Sequence, residues 1–278
     1  MSEELVRHIE GVGDLVYESH DIGEWTTAKN EPAKKARRRY LLDGKELDSV
    51  SSIVSTLDKG DGLNYWHEDH GARGGVLAER MGELDGVPME DIVKRVRLLK
   101  LGAKAAREEA AARGQAIHAA FHDFATTGAY PVISDYPLEW QGWVRGVARV
   151  LLELEPEPVD AEFMVCNPRL GYAGRPDLIC TVGDRRQLWD YKTSLNGKVF
   201  PQAHYQTRLY ELCFGPCKIP PVDDILIIGV PEDGSYQEPI RCAISPHKAE
   251  LLIEVFRDKK AINAAMAAQR KEAKALMA

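Results

Sequence analysis

Residues 171–193 constrain the fold of this chain more than any other stretch. The run from Gly171 to Thr193 reads as two strands joined at Gly183-Asp184, since glycine at the first central position suits the hairpin turn that matches strand twist. With a two-residue turn Val182 faces Arg185, and the same register sets Asp177 opposite Asp190. Opposed residues on paired strands hold their Cβ atoms about 4.5–5.5 Å apart. Two carboxylates that close repel, and a hard divalent cation is the usual partner that neutralises them. Lys192, two residues beyond Asp190, shares its face through the pleat. Asp-x-Lys alone is common as a solvated surface pair. The opposed Asp177, preceded by glycines that admit a close neighbour, sets this one apart.

The rest of the chain bounds what surrounds that hairpin. Its 278 residues suffice for one large domain or a core with an accessory lobe. A net charge of −7 argues against indiscriminate wrapping of nucleic acid, but the basic residues are unevenly placed and a local basic groove remains open. No apolar run approaches the length of a membrane helix, and the acidic start Met1-Ser-Glu-Glu-Leu has no signal or transit pattern. Five scattered cysteines (166, 180, 213, 217 and 242) suit reduced thiols, so a cytoplasmic setting is expected. Their spacing lacks the ligands for a zinc or iron–sulfur site. No phosphate-binding loop of the helicase kind is present.

In chain order, residues 1–32 are weakly patterned. Lys34 to Arg39 form a basic patch, read either as a solvated face or as a phosphate contact. Tyr40 to Leu47 read as a short hairpin turning at Asp43-Gly44, followed by a helix with Val50, Ile53, Val54 and Leu57 at helical spacing. Tyr65 and Trp66 read as packing residues, and the glycine-rich stretch 71–90 as loops around a short helix. A helical region opens at Asp91 and runs to about Thr127, with breaks expected near Gly102 and Gly114. Lys94, Arg95, Arg97, Lys100, Lys104, Arg107 and Arg113 outnumber its acids and make it the candidate phosphate track, with Arg175 added from the hairpin. His118 follows one turn past Gly114; a lone helical histidine is usually structural, and only its partners raise it to a metal ligand. Helices are expected over 140–151 and 202–213, strands over 160–167 and 225–230, and a closing helix after Ser245-Pro246. Gln206 and Tyr210 form an i, i+4 pair on one helix face. The element order predicts an α/β (α+β) fold, a mixed β-sheet flanked by helices.

His118 after Gly114, Gly174-Arg-Pro-Asp177, Asp190-Tyr-Lys192-Thr193 and Gln206-x-x-x-Tyr210 together resemble the motif series of the PD-(D/E)XK nuclease superfamily. More narrowly they resemble its RecB-like exonuclease branch, phage-encoded and mitochondrial genome maintenance exonucleases included. The motifs span residues 100–230 and are specific as a set; before residue 90, only Ser49 to Val54 and Trp66 are similar. The resemblance implies a restriction-endonuclease-like core over 91–278 and a mainly helical accessory region over 1–90. It also implies that His118, Asp177, Asp190 and the Tyr191 carbonyl bind one or two Mg²⁺ or Mn²⁺ ions. Lys192 would orient or activate the attacking water and stabilise charge on the phosphate. Gln206 and Tyr210 would position DNA or catalytic groups, and Glu162 would support the site or the fold. Many members carry an iron–sulfur cluster; the upstream cysteine it needs is missing here, so none is expected.

The resulting expectation is a metal-dependent DNA exonuclease acting on ends in recombination, repair or replication. Its partners would be single- or double-stranded DNA and a single-strand annealing or replication protein, with no membrane. Two competing readings are a structure-specific or restriction-type endonuclease with the same site, and a catalytically idle DNA-binding module.

Overall fold

The structure is a computed structural model and describes residues 3–26, 32–57 and 61–276. It is a mixed α/β fold built on two mixed sheets flanked by helices. The first sheet begins with a meander of β1 (Glu3–Ile9), β2 (Gly13–Thr26), β3 (Pro32–Leu42) and β4 (Lys45–Ser49). The expected hairpin at Asp43-Gly44 is present, with Leu42 opposite Lys45. Ser49 caps the short helix α1 (Val50–Val54), accepting from the Ser52 amide. Val50, Ile53 and Val54 are buried, at the spacing their sequence sets.

Three helices follow: α2 (Asp61–Arg80), α3 (Met89–Leu98) and α4 (Ala103–Thr127). Then come α5 (Gln141–Leu154), β5 (Glu157–Ala161), β6 (Val165–Asn167), β7 (Tyr172–Gly174), β8 (Leu178–Val182) and β9 (Arg185–Ser194). The chain closes with α6 (Pro201–Glu211), β10 (Asp224–Pro231), β11 (Ile240–Arg241) and α7 (Pro246–Leu276). The first sheet continues β4-β7-β6, with β4 parallel to β7. Backbone hydrogen bonds therefore tie the N-terminal strands to residues 172–174. The second sheet runs β11-β10-β9-β8-β5, with β9 and β10 parallel and α6 as their crossover.

Several expectations need correction. The N-terminal region is not mainly helical: residues 3–26 and 32–49 are strands and turns, and among the described residues helices begin only at Val50. The stretch 71–80 lies inside the long helix α2 rather than in loops. Its Gly74 packs where a Cβ would stand 2.2 Å from the Leu101 carbonyl oxygen, so a glycine read as a breaker serves a close approach. Gly102 does separate α3 from α4, but Gly114 is inside α4 and breaks nothing. Tyr65 is exposed rather than packed. The side chains of Trp66 and of residues 34–38 of the basic patch lie outside the described residues. Among the described residues no helix is long and apolar enough to cross a membrane.

The single strands expected over 160–167 and 171–182 are each two. The chain leaves the second sheet after β5, enters the first as β6 and β7, and returns as β8. Both crossings lie side by side. At one, Glu162 has φ +47 and its amide donates to the Asp177 carbonyl at 2.9 Å. At the other, Arg175 donates from Nε to the Glu162 carbonyl at 2.9 Å and pairs with the Glu162 carboxylate.

Strand β9 separates two apolar clusters. Leu188 faces one, built from the N-terminal strands, α1, β6, β7, α6 and the start of α7. Trp189 and Tyr191 face the other, built from α4, α5 and the strands on that side. Alternation through the pleat then places Asp190 on the Leu188 face, inside the molecule.

Candidate active site

The hairpin register follows the turn. Val182 pairs with Arg185 and Leu178 with Trp189, so the next step brings Asp177 beside Asp190. Asp177 sits just outside β8, at the return crossing, and its Oδ2 accepts from the Tyr191 amide at 2.8 Å. Asp190 is wholly buried on the central strand, and the Lys192 ammonium lies 2.5 Å from its Oδ2. Lys192 is thus the partner of Oδ2, whereas the buried Oδ1 has no partner among the described residues.

α4 delivers His118, whose Nδ1 is 3.4 Å from Asp177 Oδ1. Ile117, Ala120, Phe121 and Phe124 bury the other side of this helix and fix its rotation. Tyr191 points away from the carboxylates: its ring stacks on Phe121 at 3.6 Å and meets His118 edge-on at 5.7 Å. Only its backbone faces the site. From α6, Gln206 Nε2 donates to the Tyr210 hydroxyl at 2.9 Å. Gly174 makes room for that ring; a Cβ there would lie 2.5 Å from Tyr210 Cε1 and 2.8 Å from Val50 Cγ2.

The charges are tightly balanced. Burial raises the Asp190 carboxyl from 3.8 to about 6; Lys192 opposes the rise and Asp177 adds to it. Burial acts the same way on Asp177, but His118, Lys192 and the Tyr191 amide outweigh it and hold that carboxyl below its ordinary value. Burial disfavours charge on His118 and on Lys192, yet the neighbouring carboxylates prevail and raise both. Burial, with Asp190 and Asp177 nearby, keeps the Tyr210 phenol protonated.

Two carboxylates, one of them buried with its Oδ1 unpaired, fit a hard cation completed by water. A third protein ligand is not assembled: among the described residues no three His, Cys, Asp or Glu side chains are arranged to hold a metal. His118 turns its Nδ1 to Asp177, and would have to swing away to ligate through that atom.

A raised carboxyl pKa sets the sign of a pH effect. Between an ordinary 3.8 and about 6 the folded protein keeps a proton on Asp190 that the unfolded chain releases, so this group's stability contribution is lost as pH rises through about 6. A cation competes with that proton. Adding Mn²⁺ is therefore expected to raise the melting temperature at pH 8 and to have little effect at pH 5, read by differential scanning fluorimetry. An equal shift at both pH values would remove Asp190 from the ligand set.

The candidate phosphate track is not one surface. Arg95 is paired with Glu83, and Arg113 is mostly buried, its guanidinium 4.0 Å over the Trp143 ring. Arg175 is held by Glu162, within the carboxylate cleft. Arg97, Lys100, Lys104 and Arg107 instead line a separate hollow of about 510 Å³ between α2, α3 and α4, and Lys94 is exposed on α3. The carboxylate cleft itself, about 600 Å³, holds His118, Asp177, Glu162 and Arg175. It also takes in Tyr17, Tyr40, Ser49, Ser51 and His122, which sequence reasoning missed. His122 could have been found: it stands four residues past His118, on the same helix face. The tyrosines and serines carry no such signal, because only the sheet pairing of β4 with β7 brings them here.

No family model matches this chain, and no curated protein matches it. A solved structure described as "Crystal structure of SSO0001" is similar over 75% of this chain and 73% of its own, at 14% identity and a TM-score of 0.31. A likeness that loose supports no conclusion about fold or function.

Proposed function

We propose that this chain is a Mg²⁺- or Mn²⁺-dependent DNA exonuclease, similar to the RecB-like branch of the PD-(D/E)XK nucleases, hydrolysing phosphodiester bonds from DNA ends. The observation that carries the reading is the buried Asp190, its Oδ2 paired with Lys192 and its Oδ1 without a partner among the described residues, set beside Asp177, which lines an open cleft. A buried carboxylate with one oxygen left unpaired costs stability, and a cation-binding task accounts for it. Asp177 and Asp190, with the Tyr191 carbonyl and a reoriented His118, would hold the ion. When bound, it lowers the pKa of its water and offsets charge on the phosphate.

The side chains divide the remaining work. Lys192 keeps its proton because both carboxylates raise its pKa, so it serves as a fixed positive donor to a phosphate oxygen or to the attacking water, not as a base. Gln206 donates to the Tyr210 oxygen, which leaves the phenol proton free to hold a carboxylate or a phosphate in place. Arg175 and Glu162 lock the two chain crossings, and with them the position of Asp177.

Linear and covalently closed circular DNA, each incubated with Mn²⁺, test the exonuclease reading. Loss of the linear form alone is expected. Cleavage of closed circles would replace it with the endonuclease reading, and no cleavage of either form would leave a catalytically idle binding module.

A further inference from the structure

The cleft has a wall that the proposed chemistry leaves without a task. On α4, His118 and His122 stand one turn apart on the same face, and both line the cleft. Their surroundings differ. His118 is held by Asp177. His122 has neither ring nitrogen hydrogen-bonded among the described residues: Nδ1 is buried without a partner, which leaves Nε2 as the nitrogen available to the cleft that the residue lines. No protein group fixes its tautomer, so Nε2 can donate to whatever enters.

Two neighbouring polar groups of the cleft are committed. Arg175 is bound to Glu162, and Ser49 is spent on the cap of α1, contacting Ser51, Ser52 and the Ser52 amide. His122 is thus a free hydrogen-bonding group in a cleft whose other wall is the N-terminal sheet, through Tyr17 and Tyr40. Its spacing from His118, which is held by Asp177, also fits. Four residues of helix advance about 6 Å along the axis, which is about the span between neighbouring phosphates of an extended strand.

We infer that His122 is a substrate-positioning residue whose Nε2 contacts the phosphate next to the scissile one. The inference rests on the nuclease reading and deepens it: one DNA strand would run along α4, with the scissile phosphate at Asp177 and its neighbour one helical turn away.

The test couples the residue to the substrate. A short end-labelled single strand is cut with Mn²⁺ by the wild type, and the first cut is mapped. The substrate is then remade with an uncharged methylphosphonate at one or the other neighbouring phosphate. His122→Ala is expected to raise KM about tenfold with kcat within about twofold, as befits one hydrogen bond to a charged group. His122→Gln, which keeps a donor, should recover most of the loss. At one neighbouring phosphate the methylphosphonate should weaken the wild type about tenfold and His122→Ala no further, and the side on which this occurs gives the direction of the strand. Losses that multiply at both neighbours, or an unchanged KM in His122→Ala, would overturn the inference while leaving the nuclease reading intact. A wild type that cuts the unmodified strand neither alone nor in a duplex would overturn both.

Discussion

Asp190→Asn is expected to lower DNA cleavage by about 10³-fold or more, and to abolish the Mn²⁺-induced rise in melting temperature. Asparagine fills the same volume, so circular dichroism should show an unchanged fold. Lys192→Ala should lose a comparable share of cleavage for a different reason. Its ammonium lies 2.5 Å from Asp190 Oδ2, where it both neutralises the carboxylate and repels a cation. Removing it should therefore leave the Mn²⁺-induced shift in place or enlarge it. The pair of variants separates a ligand from a donor: both inactive, one blind to the ion and one more responsive to it. If both lost the shift equally, Lys192 would be structural to the ligand set, and its assigned task would be wrong.

Gly174→Ala is expected to destabilise the fold by about 1–3 kcal/mol, the usual cost of forcing a methyl group into a filled core. The added Cβ would meet the Tyr210 ring at 2.5 Å and Val50 at 2.8 Å, and α1, β7 and α6 all converge there. Relief requires the Tyr210 ring to move, which breaks its bond from Gln206 and withdraws the phenol from Asp177 and Asp190. Cleavage should consequently fall further than the stability loss explains at 25 °C. Chemical denaturation with a parallel rate measurement reads both. Full activity in a destabilised Gly174→Ala would show that Tyr210 has no part in the reaction.

The hairpin was legible because its turn left few choices. Once Gly183-Asp184 is a two-residue turn, counting alone carries the register from Val182 and Arg185 to Asp177 and Asp190. His118, Gln206 and Tyr210 were legible from helical spacing. The passage of the chain between sheets was not. Residues 160–167 read as one strand, and the break at Glu162 depends on a left-handed backbone held by Asp177 and Arg175, partners that are remote in sequence. β1, β2 and most of β3 were missed because polar and charged residues occupy much of them, and their apolar positions are recognisable only against α1 and α6. Net positive charge on α3 and α4 was easy to count, yet sequence could not show that Arg113 is spent on Trp143 and Arg95 on Glu83.

The most direct test of the central claim is digestion of end-labelled linear DNA by the wild-type protein, with Mn²⁺ and then with excess EDTA. Stepwise shortening from an end with Mn²⁺, silence in EDTA and recovery on adding Mn²⁺ back is the predicted result. Cleavage that persists in EDTA, or none with either Mg²⁺ or Mn²⁺, would contradict the assignment of Asp177 and Asp190 as the carboxylates that hold the ion.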